Sequence, residues 1–267
     1  MSRTRTGNFG IGFRRFRSPW QNDLPALIEW AKANGFECLD VRGADDVRTV
    51  AAAGLAVGSA DLPDFKTVLH PDKARRDEAV AQAVQYIRDC SPVVRNFFTV
   101  MLPGDPDRPR KDNFALVVEV YSQLAGVLEP FGGRVVVEGW PGPGCLCCTP
   151  ETVRALLKEI PSPAIALNYD PSHLVWQGID PLRFLEEFAA HVGHVHGKDT
   201  EILDERLYEL GSEQPPAFTP EIRWGRNHWR YTIPGHGQVR WGRTLEILAA
   251  AGYKGFVSIE MEDTNFN

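Results

Sequence analysis

The sequence has no unbroken apolar run of about 18 residues, so no segment reads as a membrane-spanning helix. It also lacks a surplus of positive charge. Against 29 Lys and Arg stand 35 Asp and Glu, a formal net charge of −6, and no basic stripe of the kind that grips a phosphate backbone is present. Nucleic acid and membrane are therefore not expected as partners. The N-terminus, "MSRTRTGNFGIGF", is basic but has neither the apolar core nor the small-residue cleavage site of a secretory signal, so the cytoplasm is the expected location. Cysteine is scarce, five residues and an odd number. Cys38 and Cys90 sit in apolar surroundings. "GCLCC" (Cys145, Cys147, Cys148) has no second pair at zinc-finger spacing, which makes free thiols in a loop the better reading. No low-complexity stretch or linker divides the 267 residues, so residues 1–267 read as one domain.

What is present is an alternation. "NFGIGFR", "ECLDVR", "LAVGSADL", "VVRNFFTVML", "RVVVEG", "AIALNYD", "VGHVHGKD" and "GFVSIEMED" are short apolar runs of strand length. Between them lie segments with helical period. "DLPALIEWAKANGF" has Asp23 as N-cap and Gly35 as stop. In "PDKARRDEAVAQAVQYIRDC", Ala79, Val80, Ala83, Val84 and Ile87 share a face. "TPETVRALLKEI" has Thr149 as cap and Pro150 at the first helical position. Eight strands alternating with helices imply a parallel sheet covered on both faces. An open doubly wound sheet would carry a G-x-G-x-x-G turn after the first strand, which is lacking. The expected fold class is α/β, a closed (β/α)8 TIM barrel of about 250 residues. Two irregularities accompany it. A long stretch at residues 200–241 separates the seventh strand from the next helix and reads as irregular. The chain also stops soon after the eighth strand, so the last helix is expected to be missing or truncated.

Four successive strands end in ligand-type side chains: Glu138, Asp170, His196 and Glu260. Glu138 and Asp170 are 32 residues apart and Asp170 and His196 are 26 apart, each close to one β/α unit of about 31 residues; the last step holds the long stretch as well. In a barrel these strands are neighbours, and their C-terminal ends form one wall of the mouth where active sites lie. Three carboxylates and an imidazole make a hard, oxygen-rich donor set that favours Mn²⁺, Mg²⁺ or Co²⁺ over a structural zinc. Clustered carboxylates at an apolar mouth would otherwise repel one another. Singly, each has a plainer alternative: a cap, a brace for the turn before Pro171, or a satisfied core histidine.

Further candidates surround this set. His173 follows Asp170 by three and would bind a substrate hydroxyl, or cap a helix. Lys198 shares the face of His196 and would hold a substrate oxygen, or extend into solvent. His194 shares that face one layer deeper and reads as structural, while Asp199 alternates away and is expected to pair with a cation. Trp140, Phe16 and Trp20 are candidates for the mouth. "FRRFR" (Phe13 to Arg17) reads as a solvated loop. In "RWGRNHWRYTIPGHGQVRW", Trp224, Trp229, Tyr231 and Trp241 with Arg226, His228 and Arg230 suggest either a sugar-binding lid or a structural flap.

The set "VVVEG", "NYDPSH", "HVHGKD", "YTIPGHGQVRW" and "GFVSIEMED" resembles the sugar (phosphate) isomerase/epimerase family of xylose-isomerase-like barrels, from Gly10 onward and most strongly from Arg134. The resemblance implies that Glu138, Asp170, His196 and Glu260 hold one divalent metal, most commonly Mn²⁺, with Zn²⁺ also possible. It implies that Glu138 and Glu260 double as the acid/base pair of a sugar isomerase or epimerase, and that the protein associates as a homo-oligomer. Met261 departs from the His that many relatives carry there. The expected chemistry is proton transfer beside the ketone of a keto-sugar or related polyol, through an enediolate. The alternative is a lyase or dehydratase acting on a keto-sugar, an inosose or a 3-keto-glycoside. An endonuclease IV-like phosphodiesterase would need more ligands than seven histidines and an acidic chain supply, and a non-catalytic sugar-binding protein would not need all four.

Overall fold

A computed structural model describes residues 9–16 and 18–266. Eight strands form a closed parallel barrel: β1 (Gly10–Arg14), β2 (Cys38–Arg42), β3 (Ala56–Asp61), β4 (Asn96–Val100), β5 (Arg134–Glu138), β6 (Ile165–Tyr169), β7 (Val192–Gly197) and, last in the chain, β10 (Phe256–Ile259). Around the ring the order is β1-β10-β7-β6-β5-β4-β3-β2, so the strands bearing the four candidate ligands are consecutive neighbours. Pairing puts Glu138 beside Asn168, and His196 beside Ser258. β4 and β6 are buried at every position, as strands covered on both faces must be.

Helices α1 (Leu24–Ala33), α2 (Ala44–Ala52), α3 (Lys73–Cys90), α4 (Arg110–Leu128) and α5 (Pro150–Glu159) wrap the outside, the short α6 (Pro171–Trp176) sits at the mouth, and α7 (Pro181–Phe188) returns to the outside. Local chemistry starts them. Asp23 accepts from the backbone N–H of Ala26, and Thr149 and Thr152 form a reciprocal capping box ahead of Pro150. In α3 the buried stripe is Arg76, Ala79, Val80, Ala83, Ile87 and Cys90, with Val84 at its edge. The main core lies between sheet and helices, while a smaller cluster with Phe98, Val100, Val136 and Ala166 fills the barrel beneath the mouth. The stretch Arg110–Phe131 reaches a mean hydropathy of 1.3 and is long enough to cross a membrane, which unbroken runs alone did not reveal. In this fold it covers the barrel, burying Val117, Val120, Tyr121, Leu124 and Leu128.

The stretch after β7 is not irregular. It holds β8 (Asp199–Ile202) and β9 (Trp229–Thr232), paired as an antiparallel ribbon, with α8 (Asp204–Leu210) between them, and α9 (Trp241–Ala250) leads into β10. Asp199 organises the ribbon's base. Its carboxylate accepts from the backbone N–H groups of Thr200 at 2.8 Å, Val239 at 2.9 Å and Gly235 at 3.0 Å. The expected cation partner is thus replaced by three backbone donors. Among the described residues no helix follows β10.

Candidate metal centre

Glu138 is the last residue of β5, and Asn168, its partner on β6, donates Nδ2–H to Glu138 Oε2 at 2.8 Å. Asp170 follows β6 and caps α6. Its Oδ1 accepts from Ser172 N at 2.9 Å and Ser172 Oγ at 2.6 Å, leaving Oδ2 buried with no hydrogen-bond partner. The turn-bracing and site-facing readings of Asp170 therefore both hold, one per oxygen. His196 turns Nδ1 toward Glu138 Oε2, 2.7 Å away, and Glu260 Oε2, 3.4 Å away, without hydrogen-bond alignment to either. One donor atom from each of Glu138, Asp170, His196 and Glu260 lies within 4.8 Å of the others, and all four residues are buried.

Lys198 enters the same cluster. Its ammonium donates to Glu260, reaches Glu262 Oε2 at 3.0 Å and Asp170 Oδ2 at 3.2 Å, and sits 4.4 Å from the centre of the Tyr231 ring. His173 Nε2 is unpartnered, 3.4 Å from Glu138 Oε1 and 3.3 Å from Asp170 Oδ2. Its Nδ1 pairs with the Tyr231 hydroxyl at 2.8 Å, and that hydroxyl also accepts from Trp176 Nε1. On the far side Arg14 holds Glu260 Oε1 at 3.1 Å through Nε, clasps Asp61 with both terminal nitrogens, and stacks 4.2 Å over Phe98.

Charge shifts follow from this crowding. Burial pushes the Glu138 carboxyl up, but the charge of His196 and the nearness of both imidazoles outweigh it, and the group titrates below the usual carboxylate range. For Glu260 burial is likewise overcome by Lys198, His196 and Arg14. Burial would strip the proton from His196 and Lys198, yet the carboxylates around them hold both well above their ordinary values. Burial wins at Glu262, whose carboxyl is raised. The donor set fits a divalent cation. Two buried candidate ligand atoms, Asp170 Oδ2 and His196 Nδ1, have no hydrogen-bond partner among the described residues, and the carboxylate charge converges on one point.

One layer deeper, His194 Nε2 pairs with Asp40 Oδ2 at 2.9 Å, and His196 Nε2 lies 3.6 Å from the same oxygen. Gly58 makes this possible, since a Cβ there would stand 2.4 Å from Asp40 Oδ1. Trp140, Phe16, His173, Lys198 and Tyr231 line the cleft above the four ligands, as do Trp224, Arg226 and Trp229. The other candidates do not. His228 and Arg230 flank Trp229 and Tyr231, and strand alternation turns them to the opposite face, where Arg230 ties Glu201 at 2.7 Å to Asp263 at 3.4 Å. Trp20 packs on Phe13 and Trp30 outside the barrel, and Trp241 starts α9. Arg14 is no solvated loop residue, being 3% exposed; Arg17 lies outside the described residues. Arg14, Asp40, Asp61 and Glu262 escaped the sequence reading. The available signal was a charged residue inside or just after an apolar strand run, as in "CLDVR" and "IEMED".

A family model described as xylose isomerase-like TIM barrel matches residues 12–267. By sequence the chain is 36% identical over 152 residues to "Uncharacterized protein YfiH" of Bacillus subtilis, covering 55% of this chain and 46% of that protein. It is 28% identical over 152 residues to an inosose dehydratase of Geobacillus thermodenitrificans, covering 57% and 48%. The alignments thus span about half the length of these curated relatives. Among solved structures the fold is similar to that of an IOLI protein described with a binding zinc atom, at TM-score 0.72 and 16% identity, over 96% of this chain and 90% of that one.

Proposed function

The chain belongs to the xylose isomerase-like TIM barrel family, and on that premise we propose that it is a divalent-metal-dependent sugar isomerase or epimerase, moving a proton beside the carbonyl of a keto-sugar or related polyol. The observation that carries this reading is the convergence of Glu138, Asp170, His196 and Glu260, with two of their donor atoms buried and without a hydrogen bond among the described residues. These four would hold the ion, and three oxygens with one imidazole favour Mn²⁺. When bound, it supplies Lewis acidity that polarises the substrate carbonyl and makes the neighbouring C–H more acidic.

The chain's own residues do the rest. Glu138 and Glu260 stand on strands separated by two others and so flank a substrate from different sides. One removes the proton and the other returns it. Asn168 holds Glu138 Oε2, and Arg14 and Lys198 hold the two oxygens of Glu260, which fixes how each carboxylate is turned. Lys198 and His173 donate to substrate oxygens, and Trp140 lines the cleft farther along the wall. A second reading, loss of water from the same enediolate, is favoured by the inosose dehydratase relatives and by the Lys198–Glu262 pair, which offers a further proton donor for a leaving hydroxyl.

The test has two parts. Elemental analysis should find about one Mn, Co or Zn per chain in the reconstituted protein and less in Glu138→Gln and Asp170→Asn. Keto-sugars and inososes incubated with it in D₂O should then gain deuterium beside the carbonyl. Exchange or rearrangement without loss of water supports the isomerase or epimerase, and unsaturated product supports the dehydratase. A protein that takes up no metal and exchanges no proton sinks both.

A further inference from the structure

The cleft above the four ligands is larger than one sugar ring needs. Its volume is about 1240 Å³, against roughly 300–1,000 Å³ for pockets that enclose a drug-sized ligand, itself larger than a single hexose. Polarity is unevenly distributed. Glu138, His173, Lys198, Glu260 and Glu262 lie together at the ligand cluster, whereas the six aromatic rings of Phe16, Phe65, Trp140, Trp176, Trp224 and Trp229 lie in the remaining wall, with Arg42, Asp61, Asp64 and Arg226 among them. Trp176 and Trp229 stack flat, 4.6 Å apart and 7° from parallel, and Phe16 stands 6.2 Å from Trp224.

Two features of this wall are not accounted for by chemistry at the metal ligands. Trp140 keeps 37% of its surface exposed, although burying so large a ring is favourable. Trp224 sits at φ +56°, a left-handed conformation that a bulky side chain adopts only when its surroundings impose it. Its indole N–H is shielded from solvent and has no partner among the described residues. Strained and unsatisfied aromatic residues in a cleft wall are signs of a ligand surface.

We infer that this aromatic wall is a second subsite, and that the substrate is a glycoside: a keto-sugar ring at the ligand cluster, joined to a second ring held between Trp140 and Trp224. The inference rests on the carbohydrate reading above and adds the substrate's size and charge. The second unit is uncharged, because Arg42 at this wall already ion-pairs with Asp61 at 2.8 Å, and Asp64 in the same lining balances Arg226. Flat aromatic faces suit the C–H surface of another sugar or an aromatic aglycone, and Arg226 supplies donors to its oxygens.

The experiment measures binding and turnover separately. Isothermal titration with glucose, methyl glucoside, cellobiose, phenyl glucoside and glucose 6-phosphate reads the subsite without any reaction. Cellobiose or phenyl glucoside should bind at least tenfold more tightly than glucose or methyl glucoside, and which of the two leads identifies the second ring. That advantage should fall below threefold in Trp140→Ala and in Trp224→Phe, both checked for intact secondary structure. Two-ring ligands no better than glucose, an advantage that survives both substitutions, or tightest binding of the phosphate would each overturn the subsite. Solvent-deuterium exchange with a free keto-hexose and a keto-disaccharide runs in parallel. Fast exchange with the keto-hexose and no gain for the disaccharide removes the subsite but leaves the proposed function standing. Absence of exchange with both, from metal-loaded protein, removes the function itself.

Discussion

Asp40 contacts no solvent, and its Oδ2 lies 3.6 Å from His196 Nε2. For Nδ1 to face the ligand cluster as a lone pair, the proton of the neutral ring must sit on Nε2, the nitrogen turned toward Asp40. Asp40→Asn should therefore weaken Mn²⁺ binding by about 10–100-fold, read by titration calorimetry. Unchanged affinity would mean that Asp40 serves His194 alone. The sign of the pH dependence follows from His196. Although burial opposes it, the Glu260 and Glu138 charges hold its proton to higher pH than usual, and the ion needs that proton gone. Metal affinity should rise with pH from mildly acidic to mildly alkaline buffer, and affinity that falls over that range contradicts the assignment. The thiols differ as sharply. A hydrogen bond from Cys145 lowers the Cys148 thiol to about 7 against the opposing effect of burial, with help from Arg110, while burial raises Cys38, Cys90 and Cys147. Alkylation followed by mass spectrometry should label Cys148 first, with a rate that climbs through neutral pH. First labelling of Cys38 or Cys90 would refute this. The four ligand positions were legible because each closes an apolar strand. Arg14 and Asp40 were not, because what makes them part of the site lies on strands far away in sequence.

Among the elements, the β8–β9 ribbon does most to shape the cleft. It carries Tyr231 onto His173 and Lys198, and Trp229 onto Trp176. Its base depends on Asp199, so Asp199→Ala would orphan the buried N–H groups of Thr200 and Val239, while the N–H of Gly235, at an exposed position, can turn to water. At roughly 1–3 kcal/mol for each buried unsatisfied group, a loss of at least about 2 kcal/mol is expected in chemical denaturation, with faster hydrogen exchange across residues 199–202 and 229–232. A loss under about 1 kcal/mol would show that water replaces the carboxylate. Composition announced this stretch as aromatic and basic but concealed its strand phase. That phase decides that Trp229 and Tyr231 face the cleft while His228 and Arg230 face away.

For the whole molecule, the proposed metal site would couple folding to metal binding. An ion that binds the folded chain and not the unfolded one stabilises it by mass action, about 2.7 kcal/mol at a hundredfold excess over its Kd. Melting curves should move up by several degrees when Mn²⁺ is added to wild type, and by much less in a Glu138→Gln/Asp170→Asn double variant. Equal shifts in both would place the ion elsewhere. The carboxylates that create this coupling are neighbours only because the barrel closes with β5, β6, β7 and β10 side by side.

By itself the sequence determined the alternation of strands and helices, the parallel sheet it demands, and the four ligand-type residues at strand ends. These are local matters of period, capping and turn chemistry, written within a few residues of one another. Only the tertiary structure decided that Lys198 joins the ligand cluster, that Arg14 and Asp40 buttress Glu260 and His196, and that the ribbon turns its tryptophan and tyrosine inward. Those contacts join residues as many as 246 positions apart. Their energies depend on burial and mutual distance, which exist only once the ring of strands has closed.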